Sequence, residues 1–89
     1  MATLFVHHQV ADYAAWRQVY DEFQPTASGL GVTSGTVYVA ADDPNDVTVM
    51  HDFLTVGAAQ AFAANEALHA AIARSGVVGA PTVWVTSKV

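Results

Sequence analysis

Tyr13, Trp16, Val19, Tyr20 and Phe23 recur at spacings of three and four, and so do Ala58, Ala61, Phe62, Asn65, Leu68, His69 and Ile72. Each set forms one stripe of an amphipathic helix. Short runs of β-favouring residues surround the two stripes. Thr3 to Gln9 precedes the first. Thr36 to Ala41 and Val47 to Leu54 lie between them, and Thr82 to Ser87 follows the second. The order β-α-β-β-α-β restricts the topology more than any other feature of the chain.

Turn chemistry places the boundaries. Asp12 is an N-cap for the first helix. Pro25 disfavours helical geometry at Gln24 and predicts an end near there. Gly29, Gly31 and Gly35 mark a loop into the second strand. Asp42, Asp43, Pro44, Asn45 and Asp46 predict the turn of an antiparallel hairpin. Thr55 caps a second, alanine-rich helix expected to run unbroken from Val56 to Arg74. Gly76 is placed for its C-cap, and Gly79 and Pro81 punctuate the loop before the last strand. The result is a single ferredoxin-like α+β domain over residues 1–89. Its four-stranded sheet, antiparallel or mixed, has the order 4-1-3-2. Right-handed crossovers set the first and third strands side by side, expected to be parallel, and the first strand is expected to be buried on both faces.

Composition narrows the function classes. Hydrophobic residues make up 53% of the chain and charged residues 12%, so the sequence is not that of a disordered segment. Eight acids against three bases give a formal charge of −5, which argues against nucleic acid as a partner. Without cysteine there is no disulfide, thiolate metal site or thiol nucleophile. No basic residue precedes Arg17 and no apolar run reaches the length of a membrane span; both point to a cytoplasmic protein without a membrane partner. Leu and Ile number only five, so aromatic rings must fill the core. With both helices on one face of the sheet, the other face would be bare. Leu4 and Val6 alternate with Phe5 and His7, Val37 and Val39 with Tyr38, and Val49 and Phe53 with Met50 and Leu54, so neither face is clearly polar, which predicts a homodimer joined sheet to sheet.

The chain resembles the dimeric α/β-barrel superfamily, and within it small proteins of the antibiotic-biosynthesis-monooxygenase type. The resemblance rests on Asp12-Tyr13 with Trp16, on Asp42, Pro44, Asn45 and Asp46 between the hairpin strands, on Ala61-Phe62 and Leu68, and on Gly76-Val77 with Gly79 and Pro81. It covers nearly the whole length. It implies a pocket between sheet and helices in each subunit. It also implies chemistry of the cofactor-independent monooxygenase, cyclase, isomerase or haem-degrading kind. The monooxygenases often set an Asn and a Trp on one helix face; Asn65 matches the Asn, but His69 stands one turn on and the second helix has no Trp.

Four histidines accompany only three Lys or Arg. Imidazole moves protons near neutral pH, which makes His8, His51 and His69, with Asn65 as an oxyanion donor, the candidate catalytic set. His7 and His8 are adjacent on a strand and face opposite ways, as do His51 and Asp52. If the first and third strands are neighbours, one His from each is expected close together, with a carboxylate fixing a tautomer. His7, Trp16, Tyr38, Phe62 and Trp84 are candidate ligand-binding residues. The ordinary alternative is that the aromatic rings are core filler and the histidines structural. Spacing supports no metal site, and no cofactor is expected. Three functions follow: an enzyme acting on a hydrophobic or aromatic small molecule by His acid/base chemistry, a non-catalytic binding or assembly module, and a haem protein using His69.

Overall fold

The computed structural model describes all residues, Met1 to Val89. Its elements are β1 (Ala2–Val10), α1 (Tyr13–Gly29), β2 (Ser34–Ala40), β3 (Asp43–Phe53), α2 (Val56–Ala63), α3 (Glu66–Arg74) and β4 (Val77–Ser87). The sheet order is β2-β3-β1-β4, which is 4-1-3-2 read from the other edge. Every neighbouring pair is antiparallel, including β1 with β3. The expectation of parallel central strands is thereby corrected. The helical crossover makes β1 and β2 parallel but leaves a gap between them. The tight hairpin then reverses β3, which fills the gap antiparallel to both.

Helix α1 passes straight through Pro25 to Gly29, beyond the expected end at Gln24. Pro25 is exposed, while Phe23 and Ala27 on the inner stripe are buried, Ala27 completely. Burial of that stripe outweighs the proline cost, about 3 kcal/mol in a helix interior. The helix stops where Leu30 N–H returns to Thr26 and Ala27 carbonyls and Gly31 takes φ +104°.

The second helix is two helices. Asn65 leaves helical geometry (φ −74°, ψ 132°) and its Oδ1 accepts from Ala67 N–H at 2.8 Å, so it caps α3. Asparagine gains more at a cap than inside a helix, and Glu66 suits the first turn that follows. The hairpin turn is also tighter than expected: Asp43 Oδ1 accepts from Asn45 N–H at 2.9 Å and β3 starts at Asp43 itself. Strand β4 begins at Val77 rather than Thr82. It absorbs Gly79 (φ +77°) and Pro81 through a register shift opposite His7 and Gln9. An edge strand tolerates both residues because one side of its ladder is unpaired.

Ala2, Leu4, Val6, His8 and Val10 on β1, with Val47, Val49, His51 and Phe53 on β3, point toward the helices and are buried. Thr3, Phe5 and His7 on the opposite face are only half-buried, so β1 alternates rather than being buried on both sides. Phe62 of α2 is 1% exposed and packs on Phe53, Phe23 and His51 with ring centroids 5.2–6.2 Å apart. These rings supply the core volume that Leu and Ile do not.

Candidate functional site

Between the sheet and the α1–α3 pair lies a cavity of about 50 Å³. Val6 and His8 of β1 and Val49 and His51 of β3 form its floor. One wall is Trp16, Val19, Tyr20 and Phe23 of α1. The other is Leu68, Ala71 and Ile72 of α3, with Ser75 just beyond. Aliphatic and aromatic carbon dominates, and the lining holds no acid and no lysine or arginine. A neutral, apolar occupant suits such a lining; a charged one would lose its hydration without compensation.

Its polar atoms are few and unusual. His8 is 5% exposed and neither ring nitrogen has a hydrogen-bond partner; His51 is 4% exposed and its Nδ1 has none. Buried polar groups are nearly always paired, so these three nitrogens at the cavity wall are exceptions. Burial pushes the His51 pKa down to about 4, against a smaller opposing pull from Asp52. Burial lowers that of His8 too, with help from neighbouring His7. Both rings are neutral at pH 7.

Register sets their separation. His51 pairs with Leu4 and His8 with Val47, so the two imidazoles share a face but stand four residues apart along β1. At 3.3–3.4 Å per residue that is roughly 13 Å. The expectation that they lie close together is corrected: they bracket the cavity. Rings bridge them. Trp16 meets His8 edge-on at 5.7 Å and stacks on Tyr20 at 5.1 Å, and Tyr20 lies over His51 at 6.2 Å.

The other candidates are elsewhere. His7 is on the outer face, with Nε2 2.5 Å from Asp46 Oδ1. This is the one imidazole–carboxylate contact in the chain, and it is not at the cavity. Asp52 also faces outward and accepts from the Thr3 and Ser34 hydroxyls at 2.7 Å each. That pair of bonds, more than any charge, holds its carboxyl below the usual range. Tyr38 is exposed on the outer face, and Trp84 stacks there on Phe5 at 5.1 Å. Trp16 lines the cavity, and Phe62 stands behind His51 without lining it. Asn65 is occupied as a cap. His69 is exposed, with Nε2 donating to Ala63 O at 2.8 Å across the helix break. Neither lines the cavity, which α3 meets with Leu68, Ala71 and Ile72.

No group of three His, Asp or Glu is arranged to hold a metal ion. His69 lies on a solvent face with one nitrogen engaged and no cavity beside it, so its surroundings do not fit haem. No helix is long and apolar enough to cross a membrane. Tyr20, which its place on the helical stripe marks as core, lines the cavity as well.

No family model matches the sequence, and no curated protein matches it. Solved structures do. An antibiotic-biosynthesis-monooxygenase-type protein of Bordetella bronchiseptica superposes with a TM-score of 0.83 at 15% identity, over 99% of this chain and 96% of that one. A variant of SnoaB, a cofactor-independent oxygenase from Streptomyces nogalater, gives 0.78 at 14% identity over 98% and 91%. A protein of unknown function from Nitrosomonas europaea gives 0.74 at 20% identity over 96% and 85%. The chain thus has the ferredoxin-like α+β fold of the antibiotic biosynthesis monooxygenase-type proteins, from end to end.

Proposed function

We propose that this protein is a homodimeric pocket protein that binds a hydrophobic, aromatic small molecule beneath α1 and α3. Its activity is a cofactor-independent oxygenation, cyclisation or isomerisation begun by removal of a proton. The observation that carries this reading is the pair of buried, unpartnered imidazoles at the cavity wall. A neutral imidazole in such surroundings is a poor base on its own. It accepts a proton readily when the substrate anion formed beside it compensates the new charge, so deprotonation is coupled to binding. SnoaB, an oxygenase described as cofactor-independent, shares the fold and supports the same class of chemistry.

The test is turnover by the purified protein, without added cofactor, of a panel of neutral keto- and hydroxy-aromatic compounds. Oxygen uptake and product formation are the readouts. Turnover of at least one member is expected. Binding without turnover across the panel favours the second reading, a non-catalytic ligand-binding or assembly module. That reading draws on the absence of a carboxylate to orient either cavity imidazole.

The dimer rests on the outer face, where Phe5, Met50 and Trp84 form a half-exposed apolar row, Trp84 42% exposed. A second copy covers that row by symmetry. Sedimentation equilibrium should give twice the 9.4 kDa chain mass at micromolar concentration. Trp84→Asp, which places a charge on the row, should weaken association at least about tenfold by leaving an unpaired buried carboxylate. A monomeric wild type would remove the dimer from the proposal.

A further inference from the structure

Gly35 lies on the edge strand β2, opposite His51, and is exposed. Its backbone is not in the left-handed region, so its conformation does not require glycine. Packing does. A β-carbon at Gly35 would stand 3.0 Å from Tyr20 Oη, closer than carbon and oxygen ordinarily approach, 3.5 Å from His51 Nδ1 and 3.6 Å from the Met50 carbonyl oxygen. The Tyr20 hydroxyl thus occupies the place a side chain at 35 would take, pressed on the strand beside His51 Nδ1. That nitrogen is buried and without a partner, although Gly35 next to it is open to solvent. Tyr20 itself is half-buried. Its ring stacks on Trp16 at 5.1 Å, lies over His51 at 6.2 Å and carries the Arg17 guanidinium 5.2 Å from its centroid.

We infer that Tyr20 is a positioning residue for His51: its hydroxyl, seated on Gly35, is the seal that keeps water at the β2 edge from reaching Nδ1. A water bonded there would satisfy the nitrogen and favour the charged ring. Without it the imidazole stays uncharged, and its proton affinity answers to what binds in the cavity. The inference rests on the reading of His51 as the base and adds the residue that keeps that base dry. Two charged groups stand near His51. Asp52 follows it on β3 but faces outward, and Arg17 lies behind the Tyr20 ring. Leu4, Gly35 and Phe62, beside it on β1, β2 and α2, carry no charge, and α3 lines the cavity with Leu68, Ala71 and Ile72. Burial pushes the Tyr20 phenol up, so it remains uncharged while His51 titrates.

The test is the titration midpoint of His51, read from its ring ¹⁵N resonances in folded, ligand-free protein. Tyr20→Phe keeps the ring and leaves a gap the size of one oxygen, open to solvent past Gly35. It should raise the midpoint from about 4 toward the ordinary 6.5, by at least about one pH unit. Tyr20→Phe/Gly35→Ala puts a methyl group where the hydroxyl was and should return the midpoint to about the wild-type value. A general loosening of the core would not be reversed by a substitution on another element. A midpoint unmoved in Tyr20→Phe, or raised there and not restored by Gly35→Ala, would overturn the seal. Because no ligand is present, neither result depends on whether the cavity binds one. Failure of 1-naphthol to shift the His51 ring in the wild type would instead remove the cavity reading, and with it the role of Tyr20 as a positioning residue.

Discussion

Lowering the pH from 7 to 4 should remove about 3 kcal/mol of folding free energy through His51 alone. In the unfolded chain His51 takes up its proton near 6.5, in the folded protein only near about 4. Between those values the unfolded state holds the extra proton. Stability is therefore complete above 6.5, falls as pH falls through the window, and levels off below the folded value. His8, lowered by the same burial, adds to the loss in the same direction. Asp52 adds a further loss only below its ordinary value of 3.8, where its bonds from Ser34 and Thr3 are forfeited. Thermal melts at fixed protein concentration should show a drop of about 10–20 °C across the window for a chain of this size. In His51→Leu most of the drop should vanish, and stability at pH 7 should equal or exceed that of the wild type, since an unpaired nitrogen gives way to carbon. A wild-type melting temperature that is flat from pH 7 to 4 would show that His51 is not held neutral by burial.

His51→Gln should lower turnover of an accepted aromatic substrate by about 10²- to 10⁴-fold, the usual worth of a positioned general base. His8→Gln should also lower it if the substrate spans the cavity, because the two imidazoles bracket it. Asn65→Ala and His69→Ala serve as the contrast. Each removes a bond at the helix break, so Asn65→Ala should cost about 1 kcal/mol of stability and neither should change turnover by more than about twofold. Rates measured at equal occupancy in the four variants separate these roles. Full activity in both His8→Gln and His51→Gln would end the acid/base account and put the chemistry on groups other than the two imidazoles.

The order of elements was legible because helix spacing and strand runs differ in period, and turn residues separate them. The errors fell where tertiary packing outweighs local preference. Pro25 reads as a stop, yet burial of Ala27 carries α1 past it. Asn65 lies among alanines that favour helix on either side, yet it leaves helical geometry and caps α3 through Ala67 N–H. Gly79 and Pro81 read as loop, yet an edge strand accepts them. At the site, parity along β1 was ambiguous because Leu4, Phe5 and Val6 are all apolar. The smaller aliphatic residues Leu4 and Val6 mark the helix side, which puts His8 inward and His7 outward. A pocket between sheet and helices was expected from the resemblance, with His8, His51 and Trp16 among its candidates, but not its bounds. Much of its wall is side chains that read as core, Tyr20 and Leu68 among them.

The four histidines occupy three different places, and that makes them reporters. Titrating 1-naphthol into protein labelled with ¹⁵N in its imidazole rings tests the ligand site directly. The account requires the His8 and His51 ring resonances to move together with one saturation curve, while His7 beside Asp46 and His69 at the helix break stay fixed. Movement confined to His7 or His69, or no movement at millimolar naphthol, would place the ligand elsewhere or nowhere and contradict it.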